Sequence, residues 1–368
     1  MQAHESAVRH ASSERGLHVG ANDLHADLVF EGGGVKGIGL AGAIQTLEER
    51  GYVPQNVAGT SAGAISAALL VAGYSAAELR EIVVSLDYRR FQDTAWEDKV
   101  PLIERSLSLL LDLGLYEGGR FLDWMRAQLE AKNVRTFADL VHPDYADDPR
   151  YRSRLQVVAS DVTTHELLIL PRDATKLGIE PDELDVALAV RMSMSIPVFF
   201  EPVRIENPST GRTHVIVDGG MLSNFPVWLF DCDDGEPPEW PTFGLLLVEP
   251  TPQVPLGARL PAPRMTGSGP GAVIDYVKAL AQTMMEAHDR LYVEGANFAR
   301  TIPIPTLGVG TTEFELPRER ALALYDSGRW AAEAFLDEWD FDAYVAEFRS
   351  GKEHSRREQV NAAMAPPL

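Results

Sequence analysis

Residues Gly59-Thr60-Ser61-Ala62-Gly63 read Gly-x-Ser-x-Gly between a strand-like run and a long apolar helical run. A serine at a sharp strand-to-helix turn is held under backbone strain with its hydroxyl turned outward, and glycines flank it because no Cβ fits where the two backbones approach. The turn also aims the first amides of the following helix at the reacting atom, so developing negative charge meets oriented N–H groups. Ser61 is therefore a candidate nucleophile. Taken alone, the pentapeptide has a plainer reading of equal weight, a serine that N-caps the helix starting at Ala62.

The surrounding chain alternates strand and helix signals, as a layered α/β protein does. Asp27 to Glu31 reads as a buried strand running into glycines, followed by a helix from about Lys36 to Arg50 that Gly51 caps. A short strand near Val57 ends at the Gly59–Gly63 elbow, and Ala64 to Ala72 continues as a helix. Residues 76–130 read as mostly helical, with breaks at Pro101 and at Gly118-Gly119. Further strands are expected at 155–160, 166–170, 198–205, 214–217 and 242–248, and helices at 181–192, 272–299 and 318–339. The Pro- and Gly-rich stretch 250–270 reads as a loop or flap.

Composition narrows the function. With 33 Lys+Arg against 54 Asp+Glu the formal net charge is −21, which repels nucleic acid phosphates and anionic head groups at long range, so nucleic acid is set aside as a partner. A single cysteine, Cys232, leaves no disulfide framework within the chain. The polar N-terminus lacks the apolar core of a secretory signal and the longest apolar stretch, 62–73, is too short to span a bilayer. The expected location is cytoplasmic, with signal-independent export left open. No metal-ligand spacing is found among His165, His214 and His288, and no cofactor or metal is expected.

Two further sites carry chemistry. Gly32-Gly33-Gly34-Val35-Lys36-Gly37 joins the first strand to its helix, and successive glycines can turn their N–H groups toward one point to receive an oxyanion or phosphate. Read loosely it also satisfies the dinucleotide fingerprint, but the acidic residue expected at the end of the second strand is replaced by Gly59-Thr60-Ser61, and no Gly-Lys-Ser/Thr follows to make a P-loop. Asp218-Gly219-Gly220 follows the strand Val215-Ile-Val217, which puts a carboxylate at the rim of a sheet, where α/β proteins bind ligands. As a base it has to lie within reach of Ser61; its plainer use is a turn carboxylate satisfied by its own amides.

The order of glycine turn, Gly-x-Ser-x-Gly elbow, Arg191-Met-Ser-Met-Ser-Ile-Pro197 and late Asp-Gly-Gly resembles the patatin-like phospholipases over roughly Leu28 to Phe230. The resemblance implies a three-layer α/β/α fold with a central, mostly parallel sheet and, beyond it, a helical C-terminal extension. It divides the chain into an arm (1–24), a catalytic domain (25–230), an extension packed on the same domain (231–345) and a tail (346–368). It implies a serine lipid acyl hydrolase, a carboxylic ester hydrolase of the phospholipase A or lysophospholipase type. The matched motifs make Ser61 the nucleophile, Asp218 its proton acceptor, and the amides of Gly33, Gly34 and Val35 the oxyanion hole, with Gly32, Gly37, Gly59, Gly63, Gly219 and Gly220 completing the motifs. Substrates would be phospholipid, lysophospholipid or acylglycerol, with peripheral membrane contact compatible and oligomeric state not legible. Two rivals stand beside this: a Ser-Asp-His triad completed by a histidine such as His288, and a scaffold that binds lipid or a partner without turnover. Lys36 reads equally as a contact for a substrate phosphate and as a solvated lysine, and Met192 and Met194 as core packing.

Overall fold

In a computed structural model the described residues are 24–86, 114–116, 118–148, 151–231, 238–249, 295–311, 313 and 315–349. The strands are β1 (Leu24–Phe30), β2 (Tyr52–Thr60), β3 (Gly114–Tyr116), β4 (Leu155–Asp161), β5 (Glu166–Leu170), β6 (Val198–Phe200), β7 (Val203–Glu206), β8 (Thr213–Asp218), β9 (Thr242–Val248) and β10 (Thr301–Pro305). The helices are α1 (Ile38–Glu49), α2 (Ala62–Val71), α3 (Ala76–Ser85), α4 (Gly119–Glu130), α5 (Val186–Ser193), α6 (Ala296–Ala299), α7 (Arg318–Leu336) and α8 (Phe341–Phe348). The fold is mixed α/β around a mostly parallel sheet of order β10-β9-β1-β2-β4-β8-β7, with β5 also paired to β4; β3 and β6 form a separate parallel pair.

The sheet is buried on both faces, which is why its central strands read as continuous apolar runs. Leu28 and Phe30 of β1 and Val57 of β2 pack into the large core built with the helices. Their neighbours Val29 and Ala58 point the other way, into a smaller core closed by Phe225, Val227, Leu229 and Phe230. β9 and β10 continue the sheet in parallel beyond β1. α7 lies so close to α1 that a Cβ on Gly42 would come within 1.9 Å of Tyr325 O, and one on Gly328 within 1.9 Å of Gly39 O. Phe335 and Trp339 then stack at 5.3 Å and meet Phe243 of β9 edge-on. Arg300, just before β10, forms a two-pronged pair with Asp231 at 2.5 and 2.9 Å, and Arg349 reaches the same carboxylate at 2.8 Å.

Several sequence expectations change. Residues 114–116 form a strand where helix was expected, because they pair with β6. The expected strand 198–205 is split at Glu201-Pro202, since proline cannot donate to a ladder. β10 was missed because Pro303 and Pro305 argue against a strand; its position at the end of the sheet path tolerates them. Helix α8 extends into residues assigned to the tail, and the expected flap 250–270 and most of the helix 272–299 lie outside the described residues. Among the described residues no helix is long and apolar enough to cross a membrane.

The contact between α1 and α7 gives a direct test. Gly328→Ala places a methyl group inside the Gly39 carbonyl, and overpacking of this kind costs about 1–3 kcal/mol. Urea denaturation is expected to show a lower midpoint with an unchanged slope; an unaltered midpoint would mean the two helices separate freely.

Candidate active site

The site is made where two strands end against a third. β4 uses residues 155–158 to pair in parallel with β2, and residues 159–161 to pair antiparallel with β8. β5 covers 157–161 from the opposite edge, so β2 and β8 share one edge of β4 and meet head-on. Thr60, the last residue of β2, sits opposite Val158, and Asp218, the last of β8, opposite Ala159. Ser61 and Asp218 are thereby brought together from positions far apart in the chain, and both are fully buried.

Ser61 adopts φ 53, ψ −124, an unfavourable region for a residue with a Cβ, and its side chain makes no cap to α2. The capping reading of this serine therefore falls. The elbow glycines are needed for close approach: a Cβ on Gly63 would lie 2.5 Å from Phe30 O, and one on Gly59 2.4 Å from Gly63 O. The strained backbone is held by Ser193, whose Oγ accepts from Ser61 N–H at 2.8 Å and donates to Val158 O at 2.6 Å. Two residues on, Ser195 O accepts from Asp218 N–H at 2.9 Å. One short segment thus grips the backbones of both Ser61 and Asp218. Its own shape is fixed by Arg191, buried, which donates to Ser195 Oγ at 2.5 Å and to Glu201 O at 2.8 Å.

The Asp218 carboxyl is divided in use. Oδ1 accepts from Gly220 N–H at 2.8 Å, the turn contact expected of Asp-Gly, whereas Oδ2 is buried with no hydrogen-bond partner. Burial pushes the Asp218 pKa up to about 7, against smaller opposing pulls from the neighbouring Ser61 hydroxyl and the Gly220 amide. Ser61 Oγ is close enough to exert that pull but is turned toward Met194 Sδ, 3.6 Å away, so the geometry leaves Oδ2 open. Met192 and Met194 both pack in the core, as read from the sequence, and Met194 also lies against the serine.

The glycine turn lies over the elbow. The place a Cβ on Gly32 would take is 3.0 Å from Ser61 Cβ and 2.2 Å from Asn224 Oδ1. Asn224 clamps this turn, accepting from Gly32 N–H at 3.2 Å and donating through Nδ2 to Gly32 O at 3.0 Å and to the buried Glu31 carboxylate at 3.2 Å. Gly34, at φ 56, presses on Thr311 O, only 2.1 Å from where a Cβ would be. Among the described residues the amides of Gly33 and Gly34 meet no protein acceptor, whereas Val35 N–H donates to Thr311 O at 3.1 Å. Lys36 is buried rather than solvated, with Nζ 3.6 Å from Glu249. Ser193, Asn224 and Thr311 were not legible as site residues: Asn224 has a faint signal in its place just behind Asp-Gly-Gly, and Thr311 has none.

Of the candidate histidines, one is committed to a carboxylate away from the site. His214 is buried against Asp161, Nδ1 to Oδ2 at 2.6 Å, His165 is exposed in the β4–β5 turn, and His288 lies outside the described residues. Among the described residues no group of His, Cys, Asp and Glu is placed to hold a metal ion.

The displaced Asp218 pKa predicts a stability effect with a definite sign. Below the ordinary value of 3.8 the carboxyl is neutral folded or unfolded; as pH rises toward about 7 the unfolded chain ionises while the folded one resists, so Asp218 lowers stability progressively through that window. Asp218→Asn stays neutral throughout. It is expected to be more stable than the parent at pH 8, by roughly 1.4 kcal/mol for each unit of displacement, with the gap closing toward pH 4. Urea titrations at both pH values check this; an asparagine variant less stable at pH 8 would mean the carboxylate is stabilised in place.

Comparison with known proteins gives the family. The family model for patatin-like phospholipase matches residues 28–231. The uncharacterized protein YqhO of Bacillus subtilis is 36% identical over 318 residues, covering 86% of this chain and 100% of its own length. An uncharacterized NTE family protein of Mycobacterium tuberculosis is 27% identical over 210 residues, 57% of this chain and 29% of that protein. Among solved structures, VipD from Legionella pneumophila superposes with a TM-score of 0.50 at 21% identity, covering 85% of this chain and 67% of VipD. The chain belongs to the patatin-like phospholipase family, a family of lipid acyl hydrolases.

Proposed function

We propose that the protein is a serine lipid acyl hydrolase that cleaves fatty acyl esters through a Ser61–Asp218 dyad and an acyl-enzyme. The observation that carries this reading is the strained, buried Ser61 beside a buried carboxyl whose Oδ2 is unpartnered, burial pushing that carboxyl's pKa up to about 7. A carboxylate with its ordinary acidity is a feeble base at neutral pH; one displaced this far takes up a proton readily, as general-base catalysis requires. Ser61 Oγ turns from Met194 toward Asp218 Oδ2, gives up its proton there, and attacks the ester carbonyl. The oxyanion is received by the amides of Gly33 and Gly34; Val35, included in the sequence expectation, already spends its N–H on Thr311. Asp218 returns its proton to the departing alcohol, and water then repeats the sequence on the acyl-enzyme.

The triad alternative draws no support from the described histidines, since none is hydrogen-bonded to Asp218 or Ser61 and His214 is committed to Asp161. Phospholipid, lysophospholipid and acylglycerol all present the ester this chemistry needs. Lys36, buried beside the glycine turn and, among the described residues, with a long contact to an exposed Glu249, suits the phosphate of the first two.

Purified protein is expected to hydrolyse short-chain acyl esters and to be labelled at Ser61 by a fluorophosphonate. Ser61→Ala abolishes both, Asp218→Asn removes nearly all turnover in a folded protein, and kcat/KM of the parent rises with pH through about 7 as Asp218 loses its proton. His165→Gln, His214→Gln and His288→Gln retain substantial activity. Collapse in a folded histidine variant, with Asp218→Asn only mildly impaired, would move the enzyme to the triad hydrolases.

Ser193 is assigned a positioning role. Ser193→Ala leaves Ser61 N–H without its acceptor, and a displaced nucleophile is expected to lower kcat by about 10- to 100-fold. KM and the pH midpoint set by Asp218 stay near their parent values. A variant that loses only affinity would refute the role.

A further inference from the structure

The glycine turn takes its shape from peptide planes that are held one after another. In a trans peptide the N–H points opposite to the C=O, so whatever holds a carbonyl also aims the amide that follows it. Asn224 Nδ2 holds Gly32 O at 3.0 Å and thereby aims Gly33 N–H, and Lys36 N–H holds Gly33 O at 3.2 Å and aims Gly34 N–H. The next plane is held by its donor, Val35 N–H, which gives its hydrogen to Thr311 O at 3.1 Å. Gly34 joins these last two planes at φ 56, a conformation open to glycine. The Thr311 carbonyl oxygen and methyl group lie against it, 2.1 and 2.9 Å from where a Cβ would be. Thr311 O is thus both the acceptor that pins the turn and the stop on which it rests.

Thr311 belongs to a loop beyond residue 231, where the family match ends. The loop leaves β10 with Thr306 N–H on Val248 O at 2.8 Å, folds back with Val309 N–H on Thr306 O at 2.9 Å, and buries Val309 in the large core. Past Thr311 it is tied by one side chain. Glu313 Oε2 accepts from Gly310 N–H at 3.1 Å, and its Oε1 accepts from Arg320 Nη1 in the first turn of α7. α7 in turn packs backbone to backbone on α1, the helix that the glycine turn leads into, so the contacts close a circuit around Gly34. We propose that Glu313 is a positioning residue for the oxyanion hole: it fixes Thr311 O, and Thr311 O fixes the Gly34 amide. This deepens the ester-hydrolase reading of Ser61 and rests on it. The Glu313 and Arg320 side chains are 34% and 44% exposed, and an ion pair so open to water contributes little to global stability, so its effect is local to the carbonyl it steadies.

The test compares Glu313→Ala, which removes both anchors, with Glu313→Gln, which keeps an oxygen for Gly310 N–H and another acceptor for Arg320. On a short-chain p-nitrophenyl ester Glu313→Ala is expected to lower kcat by about 10-fold, a fraction of the loss when an oxyanion donor is removed outright. KM and the urea midpoint stay near the parent values, and Glu313→Gln recovers most of the rate. A trifluoromethyl ketone, whose adduct with Ser61 carries an oxyanion, binds Glu313→Ala more weakly by the same factor. An unchanged kcat, a loss confined to KM, or a glutamine variant as slow as the alanine one overturns the assignment. A second arm needs no turnover: hydrogen exchange at the Val35 amide is expected to quicken by about 10-fold in Glu313→Ala as its acceptor loosens, while the Ser61 amide, held by Ser193, keeps its rate. Unchanged exchange at Val35 overturns the proposal. If the parent neither hydrolyses esters nor labels at Ser61 while Val35 responds as stated, the ester-hydrolase reading fails, the oxyanion role falls with it, and the tie from Glu313 to the glycine turn stands.

Discussion

Everything in the candidate site hangs on the edge of β4 that two strands share from opposite directions. Were β8 parallel to β2, its C-terminal end could not abut the elbow, and Asp218 would lie out of reach of Ser61. Because β8 runs antiparallel, the chain ends of β2 and β8 converge at Val158 and Ala159. The convergence is tight: a Cβ on Gly219 would lie 2.3 Å from Val158 O, so the glycine behind the aspartate is a condition of the approach.

The segment 191–195 turns this convergence into a fixed geometry. The hydrogen bonds that its Ser193 hydroxyl and Ser195 carbonyl accept from the backbone N–H groups of the two opposed residues set their separation. Arg191 then ties the segment to surroundings that include Gly118, where a Cβ would lie 2.3 Å from the guanidinium. A buried arginine is costly unless its donors are matched, and here they are met by a hydroxyl and a carbonyl, which makes the segment stiff.

The site also stores unfavourable free energy. A non-glycine residue at φ 53, a buried carboxyl with an empty oxygen and a buried hydroxyl facing a thioether each disfavour the folded state locally. They persist because a two-faced core and the close contact of α1 with α7 hold the frame around them. A second displaced carboxyl, Asp27, is pushed by burial to about 7 but is hydrogen-bonded to both Asn56 and Trp240, so it lacks the open oxygen that distinguishes Asp218.

The sequence by itself determined the unit types and the candidate positions for the chemistry. The alternation of strand and helix, the glycine turn and the elbow each depend on local backbone chemistry, and local chemistry is written in short stretches of residues. Ser61, Asp218 and the glycines were legible for that reason. Only the tertiary structure decided which hydroxyls, amides and carbonyls were left free. Val35 loses its amide to Thr311, some 276 residues away in the chain, and Ser193 acquires a role that its neighbours in sequence do not announce. β10 was hidden because its prolines are tolerated only at the end of a sheet, and being at that end is a property of the assembled strands. The pKa of Asp218 belongs to the same class: the residue type fixes its ordinary acidity, and the surrounding protein, by removing water, pushes it up to about 7.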